Sequence, residues 1–134
     1  MTVVREAQKW TQIIRFHALE LGFDGIGFAK ATYLEDDDRR LSEWVSRGMH
    51  GNMEWMERNH HKRVDPRKLV PGTCSVVSLL VSYHQPVTTK LHASYPQIAQ
   101  YAQGRDYHKV VKKRLKTLYS RISDDIPQIQ GRYF

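Results

Sequence analysis

Apolar positions return at three- and four-residue steps over residues 5–22, where Trp10, Ile13, Ile14, His17 and Leu21 form one stripe. That spacing predicts a helix, and Gly22 supplies its stop. Residues 24–29 read as a short strand with two glycines, Gly25 and Gly27. Glycines there permit close approach of a backbone or a ligand, and tight packing on the first helix is the simpler account. Asp36, Asp37 and Asp38 stand where helix-capping acids belong. The helix they open carries Leu41, Trp44 and Val45 on one face and closes near Gly48. A second short helix is expected over residues 53–58, with Met53, Trp55 and Met56 as a soft apolar surface. Asp65 precedes Pro66, so extended backbone at Asp65 should lead into a helical turn that starts at the proline. Pro71 and Gly72 make a turn.

The period changes after that turn. Residues 74–84 are β-branched and apolar on both faces, which predicts a central strand covered on both sides. Residues 85–97 are polar, contain Pro86 and Pro96, and read as a loop. Residues 98–103 suit a short strand. Asp106 caps a helix over roughly 107–123, with Val111, Leu115, Leu118 and Ile122 as its buried stripe. Lys109, Lys112, Lys113 and Lys116 fall elsewhere on its circumference. Asp124, Asp125 and Pro127 break it, and residues 130–134 have strand composition. These elements define an α+β fold, a small and mainly antiparallel sheet flanked by helices. There is no internal repeat and no low-complexity stretch.

Composition narrows the class. A chain of 134 residues with 40% hydrophobic positions has one core's worth of apolar side chains, and a single domain over 1–134 is expected. No apolar run nears the 18 or so residues of a membrane span; the longest, residues 76–83, is interrupted by Ser78 and Ser82. The first six residues lack a basic-then-apolar signal pattern, and a lone cysteine, Cys74, fits a reducing compartment. A cytoplasmic location is expected. The formal net charge of +7, with an isoelectric point near 9.7, suggests a polyanionic partner, nucleic acid first, and a merely solvated basic surface accounts for the charge equally well.

Several residues invite chemistry. Seven histidines are present, but His60 and His61 are adjacent and diverge, and no His-x-x-x-His pair sits on a helix, so a zinc site is not expected. Cys74 opens a strand expected to be buried and has no basic neighbour, which fits a core cysteine better than a nucleophile. One cysteine cannot hold an iron–sulfur cluster, which takes about four. Phosphate-binding glycine motifs are absent. Gly48-Met49-His50-Gly51 reads as a helix–helix turn or as a loop shaped to approach a ligand. Lys62-Arg63-Val64-Asp65-Pro66-Arg67 could meet a phosphate or carboxylate, or form a solvated loop with an Arg–Asp pair. Tyr101 to His108 holds a turn glycine, a capping aspartate, two tyrosines and a histidine. It leads into a run with seven basic or histidine positions in the twelve residues 105–116. That combination points to a ligand-facing edge, and its lysines could follow a nucleic-acid backbone without reading bases.

Four of these pieces occur in an order that resembles the N-terminal part of epoxyqueuosine reductases. They are Leu21-Gly22-Phe23 with Ile26-Gly27-Phe28-Ala29; Leu41-x-x-Trp44-x-x-x-Gly48-Met49-His50-Gly51-x-Met53-x-Trp55-Met56; Lys62-Arg63-Val64-Asp65-Pro66-Arg67-x-Leu69-x-Pro71-Gly72; and Tyr101-Ala102-x-Gly104-Arg105-Asp106-Tyr107-His108. The resemblance implies a partial cobalamin-binding α/β sandwich. It implies reduction of epoxyqueuosine to queuosine in tRNA, with cobalamin and two [4Fe–4S] clusters as cofactors of the complete enzyme. It implies that Arg63 and Ala99 contact the corrin and that Asp106, Tyr107 and His108 lie near the same cavity or the substrate. The family's proton-donor aspartate is expected beyond Phe134, with the cluster cysteines further on. By that resemblance the chain is the N-terminal portion of such an enzyme and inactive alone. A basic RNA-binding module, or a cobalamin-handling domain of another reductase, are the other readings of the same residues.

Overall fold

In the computed structural model, residues 2–84, 98–102 and 104–134 are described, with side chains from residue 5 onward. The order of elements is helix α1 (Thr2–Glu20), strand β1 (Gly25–Lys30), helix α2 (Glu35–Ser46) and a 3-10 turn (Glu54–Met56). Then come helices α3 (His60–Arg63) and α4 (Pro66–Leu69), strand β2 (Ser75–Leu80), a 3-10 turn (Gln100–Ala102) and helix α5 (Tyr107–Asp125). The strands pair as a two-stranded antiparallel sheet: Asp24 N–H donates to Leu80 O at 2.8 Å and Ala31 N–H to Cys74 O at 3.0 Å. Among the described residues, five helices with this small sheet make the α+β fold that the sequence predicts. The chain divides into two compact units, Met1–Ile26 with Leu79–Phe134, and Gly27–Ser78, and the boundary passes through both strands.

In the first unit, α1 buries Ile14 and Ala18 and leaves Trp10, Ile13, His17 and Leu21 half-buried, so the stripe's centre is one step from its predicted line. Gly22 ends the helix at φ 75°, a left-handed conformation that a Cβ would disfavour. Gly22 N–H donates to Leu19 O at 2.9 Å and Phe23 N–H to Ala18 O at 3.1 Å, the two bonds of a Schellman cap. Phe23, the residue after the glycine, is buried as that motif requires. Helix α5 packs on α1 with Leu118 and Ile122 buried and Val111 and Leu115 half-buried. Ile126, just past its end, is 1% exposed. Arg114 turns inward: its Nη1 donates to Gly22 O at 3.2 Å and its guanidinium lies 5.5 Å from the Phe23 ring centre. His17 Nε2 and an Asp125 carboxylate oxygen, 2.7 Å apart, tie the same two helices.

In the second unit, Ala31 and Val64 are buried and bracket α2 and α3. The acids of α2 occupy its first turn and do not cap it: residue Leu34 takes the cap position and offers no side-chain acceptor. They still act favourably, because carboxylates in a first turn face the positive end of the helix dipole. The helix closes as α1 does, through Gly48 at φ 66°, with Gly48 N–H to Val45 O and Met49 N–H to Trp44 O. The expected helix over 53–58 contracts to the 3-10 turn. Asp65 is extended (φ −145°) and caps α4 through Arg67 N–H, with Pro66 in the first turn, as the dipeptide predicts.

Other expectations fail. The strand expected over 74–84 is shorter, and its apolar run is not covered on both sides: Val76 and Leu79 are half-buried while Val77 and Leu80 are exposed. β-Branched composition reports fitness for a pleated surface, not the presence of a layer above it. Cys74, expected in the core, is exposed for the same reason. Gly25 does approach a neighbour closely, but that neighbour is Leu80 of the partner strand: a Cβ on Gly25 would lie 3.4 Å from Leu80 Cβ. Gly27 faces open space. The strand expected at 98–103 is replaced over Gln100–Ala102 by a local turn closed by Ala102 N–H to Ala99 O at 2.9 Å. Residues 130–134 form no strand; Tyr133 instead leans on Tyr119 with ring centres 5.9 Å apart. Gln103 and the predicted loop at 85–97 lie outside the described residues.

Candidate functional site

Asp106 opens α5 and does two things there. Its Oδ1 accepts from His108 N–H at 3.0 Å, capping the helix, and lies 3.1 Å from His108 Nδ1. That second contact folds the imidazole back, where it stacks on Tyr107 with ring centres 4.0 Å apart. Tyr107 meets Tyr101 edge-to-face at 6.2 Å, and Tyr101 meets Tyr83 in the same way at 6.4 Å. Four aromatic side chains, from the segment after β2, the 3-10 turn and the start of α5, thus form one array. Ala99 is exposed immediately before that turn and accepts its closing hydrogen bond. Beside the array lies an open hollow of about 460 Å³ lined by Leu80, Val81, Ser82, Tyr83, His84 and Gln100. A second hollow of about 370 Å³ is lined by Arg105, Asp106, Lys109, Val110 and Lys113.

The structure therefore gathers Ala99, Asp106, Tyr107 and His108 into the first unit. Arg63 belongs to the second. It ends α3, where its Nη2 donates to Trp55 O at 2.7 Å and its guanidinium lies 5.4 Å from the Trp55 ring centre. One donor and one face of the group are thereby engaged, and among the described residues the guanidinium has no ion-pair partner. In the same unit His50 sits 6.0 Å from Trp44, ring to ring, and its buried Nδ1 has no hydrogen-bond partner among the described residues. The Arg67 side chain grips Asp65 with Nε at 2.8 Å and Nη2 at 2.9 Å. These hydrogen bonds hold the Asp65 carboxyl below its usual range despite its burial. Of the basic Lys62–Arg67 segment, then, Arg67 is committed to structure and Arg63 keeps donors in hand.

One cluster has no counterpart in the sequence reading. The Tyr33 hydroxyl donates to Asp38 Oδ2, His60 Nε2 contacts Asp38 Oδ1, and Ser42 Oγ lies 3.4 Å from Asp38 Oδ1. The Tyr33 and His60 contacts lower the Asp38 pKa, and the same carboxylate raises that of Tyr33. Ser42, four residues on, is the sole partner that helical spacing could have flagged; His60 is 22 residues away.

Residues 63–134 take in Arg63, Asp65 and Arg67 of the second unit together with the whole aromatic array and α5, whereas Tyr33, Asp38, His50, Trp55 and His60 precede them. The arrangement defines a small α+β module with an aromatic, basic edge. The chain belongs to the epoxyqueuosine reductase family: a family model described as "Epoxyqueuosine reductase QueG, DUF1730" matches residues 63–134. It is 45% identical over 125 residues to an epoxyqueuosine reductase of Leadbetterella byssophila, covering 93% of this chain and 41% of that protein. It is 41% identical over 127 residues to one of Cyclobacterium marinum, with 95% and 41% covered, and 34% identical over 127 residues to one of Escherichia coli, with 92% and 33% covered. The chain thus spans about 41% of the length of the first two relatives. No solved structure matches it significantly. Among the described residues no helix is long and apolar enough to cross a membrane.

Proposed function

We propose that this chain supplies the N-terminal wall of a cobalamin site in an enzyme that reduces epoxyqueuosine to queuosine in tRNA. The observation that carries the reading is the family match over residues 63–134, which takes in Arg63, Ala99, Asp106, Tyr107 and His108 together. The chain's own groups fit the rim of a corrin. Arg63 is oriented by Trp55 with donors left for amide or phosphate acceptors, and the His50 Nδ1 lacks a partner in the same unit. Ala99 puts only a methyl group beside an exposed backbone turn, which allows close approach. Cobalamin, when bound, supplies the reducing centre for the epoxide. The Asp106–His108 contact fixes the imidazole against Tyr107, so that a titratable ring is presented in one orientation at the edge of the array. The [4Fe–4S] clusters do not fit this chain: it has one cysteine, and a cluster takes about four.

A chimera tests the reading. The matched segment of the Leadbetterella byssophila reductase is replaced by this chain, and conversion of epoxyqueuosine in tRNA is followed by nucleoside mass spectrometry. The chimera should convert, and Arg63→Ala within it should weaken cobalamin at least tenfold, the loss of one charge-assisted hydrogen bond of about 1.5–3 kcal/mol. Unchanged corrin occupancy in Arg63→Ala would remove Arg63 from the site, and a folded chimera that never converts would overturn the assignment.

A further inference from the structure

Beyond the residues assigned to the corrin rim, the first unit carries a run of exposed rings and cations. Tyr83, Tyr101 and Tyr107 are 66%, 55% and 49% exposed although Tyr101 contacts each of the other two rings. Packed edge-to-face at interplanar angles of 76° and 84°, they hold one another's orientation and lose little further freedom when something stacks on them. Next to them Arg105, Lys109 and Lys113 line one hollow with a single carboxylate, Asp106, already engaged by His108. Lys112 and Lys116 extend the cationic run along α5 and are exposed. Among the described residues none of these five cations has an ion-pair partner, whereas Arg114, which does not share their exposure, is tied to Gly22 and Phe23. A solvated helix face carries lysines, but it does not need an adjoining array of exposed rings.

Cations that track a backbone beside rings that accept any base are the two parts of a single-strand binding surface. A duplex would offer phosphates to the lysines and hide its bases from the tyrosines. We infer that the Tyr83–Tyr101–Tyr107 array, with Arg105, Lys109 and Lys113, is a docking surface for an unpaired RNA segment, bases on the rings and phosphates on the cations. The inference deepens the reading above and rests on it for the choice of RNA.

The test uses the 134-residue chain with a fluorescent 12-nucleotide oligouridylate, read by anisotropy across a salt series, and a 12-base-pair RNA duplex as the second arm. The chain should prefer the single strand. Tyr101→Ala should weaken it roughly 5- to 150-fold, the range for losing one base–aromatic stack, with the salt slope unchanged and with Tyr101→Phe restoring the affinity. Lys109→Ala with Lys113→Ala should lower the slope of log K against log salt by about 1.4. Equal affinity for duplex and single strand, no effect of Tyr101→Ala, or no binding of the oligouridylate would each overturn the surface. In the chimera the two readings separate: epoxyqueuosine conversion with no oligouridylate binding sinks the surface alone, whereas binding with no conversion leaves the surface and sinks the reductase reading.

Discussion

Asp65 shows how much one side chain can hold. It caps α4, it receives the fork of Arg67, and it is 4% exposed. Hydrogen bonds from Arg67 depress its pKa. A depressed carboxylate stabilises the fold fully above its unfolded value, near 3.8, and that stabilisation is lost as pH falls through the lower folded value. Asp65→Asn keeps an oxygen for the Arg67 N–H and removes the charge. It should therefore lower the chemical-denaturation midpoint at neutral pH and flatten its fall on acidification; a parallel acid profile in the two proteins would refute the linkage. Asp38 titrates in the same direction through Tyr33 and His60, so the flattening is partial. The Asp–Arg pair was readable from Asp65-Pro66-Arg67, because the proline fixes the turn that brings the two together. The Tyr33–Asp38–His60 cluster was not, because nothing local joins residue 38 to residue 60.

At the scale of elements, α1, α2 and α5 are legible from their stripes, and the ends of α1 and α2 from Gly22 and Gly48. The stripe of α5 does not reveal that Ile126, beyond the helix, is the most deeply buried large side chain. It lies past the periodic run and before Pro127, where sequence rules place a solvent-facing break. Ile126→Ala should cost about 2–5 kcal/mol in urea denaturation, the range for truncating a buried aliphatic side chain. Val110→Ala, at a position 40% exposed on α5, should cost far less. Equal losses would mean that the burial of Ile126 does not contribute to stability. The 3-10 turn at Gln100–Ala102, read as a strand, is also an element-scale correction with a consequence. Only the turn carries Tyr101 to where it meets both Tyr83 and Tyr107.

For the molecule as a whole, the sheet is the weak point. Two strands alone are marginal in water, and each leaves one edge unpaired among the described residues. β2 offers Val77 and Leu80 to solvent, 39% and 63% exposed. Exposed apolar strand edges promote pairing between copies, and an edge lysine suppresses it. Sedimentation velocity should show concentration-dependent self-association of the chain, reduced in Val77→Lys; a chain monomeric throughout the series would mean that the edge is inert.

The sequence by itself determined the three long helices, the glycine ends of α1 and α2 and the aspartate caps of α4 and α5, the α+β class, the basic face of α5 and the order of motifs that marks the family. All of these follow from spacing along the chain, which sequence records directly. The tertiary structure alone decided that β2 and Cys74 are exposed, that Arg114 faces inward while its lysine neighbours face out, and that Tyr83, Tyr101, Tyr107 and His108 form one array. Burial and ring contact depend on which distant segments meet, and composition is the same whether or not they do.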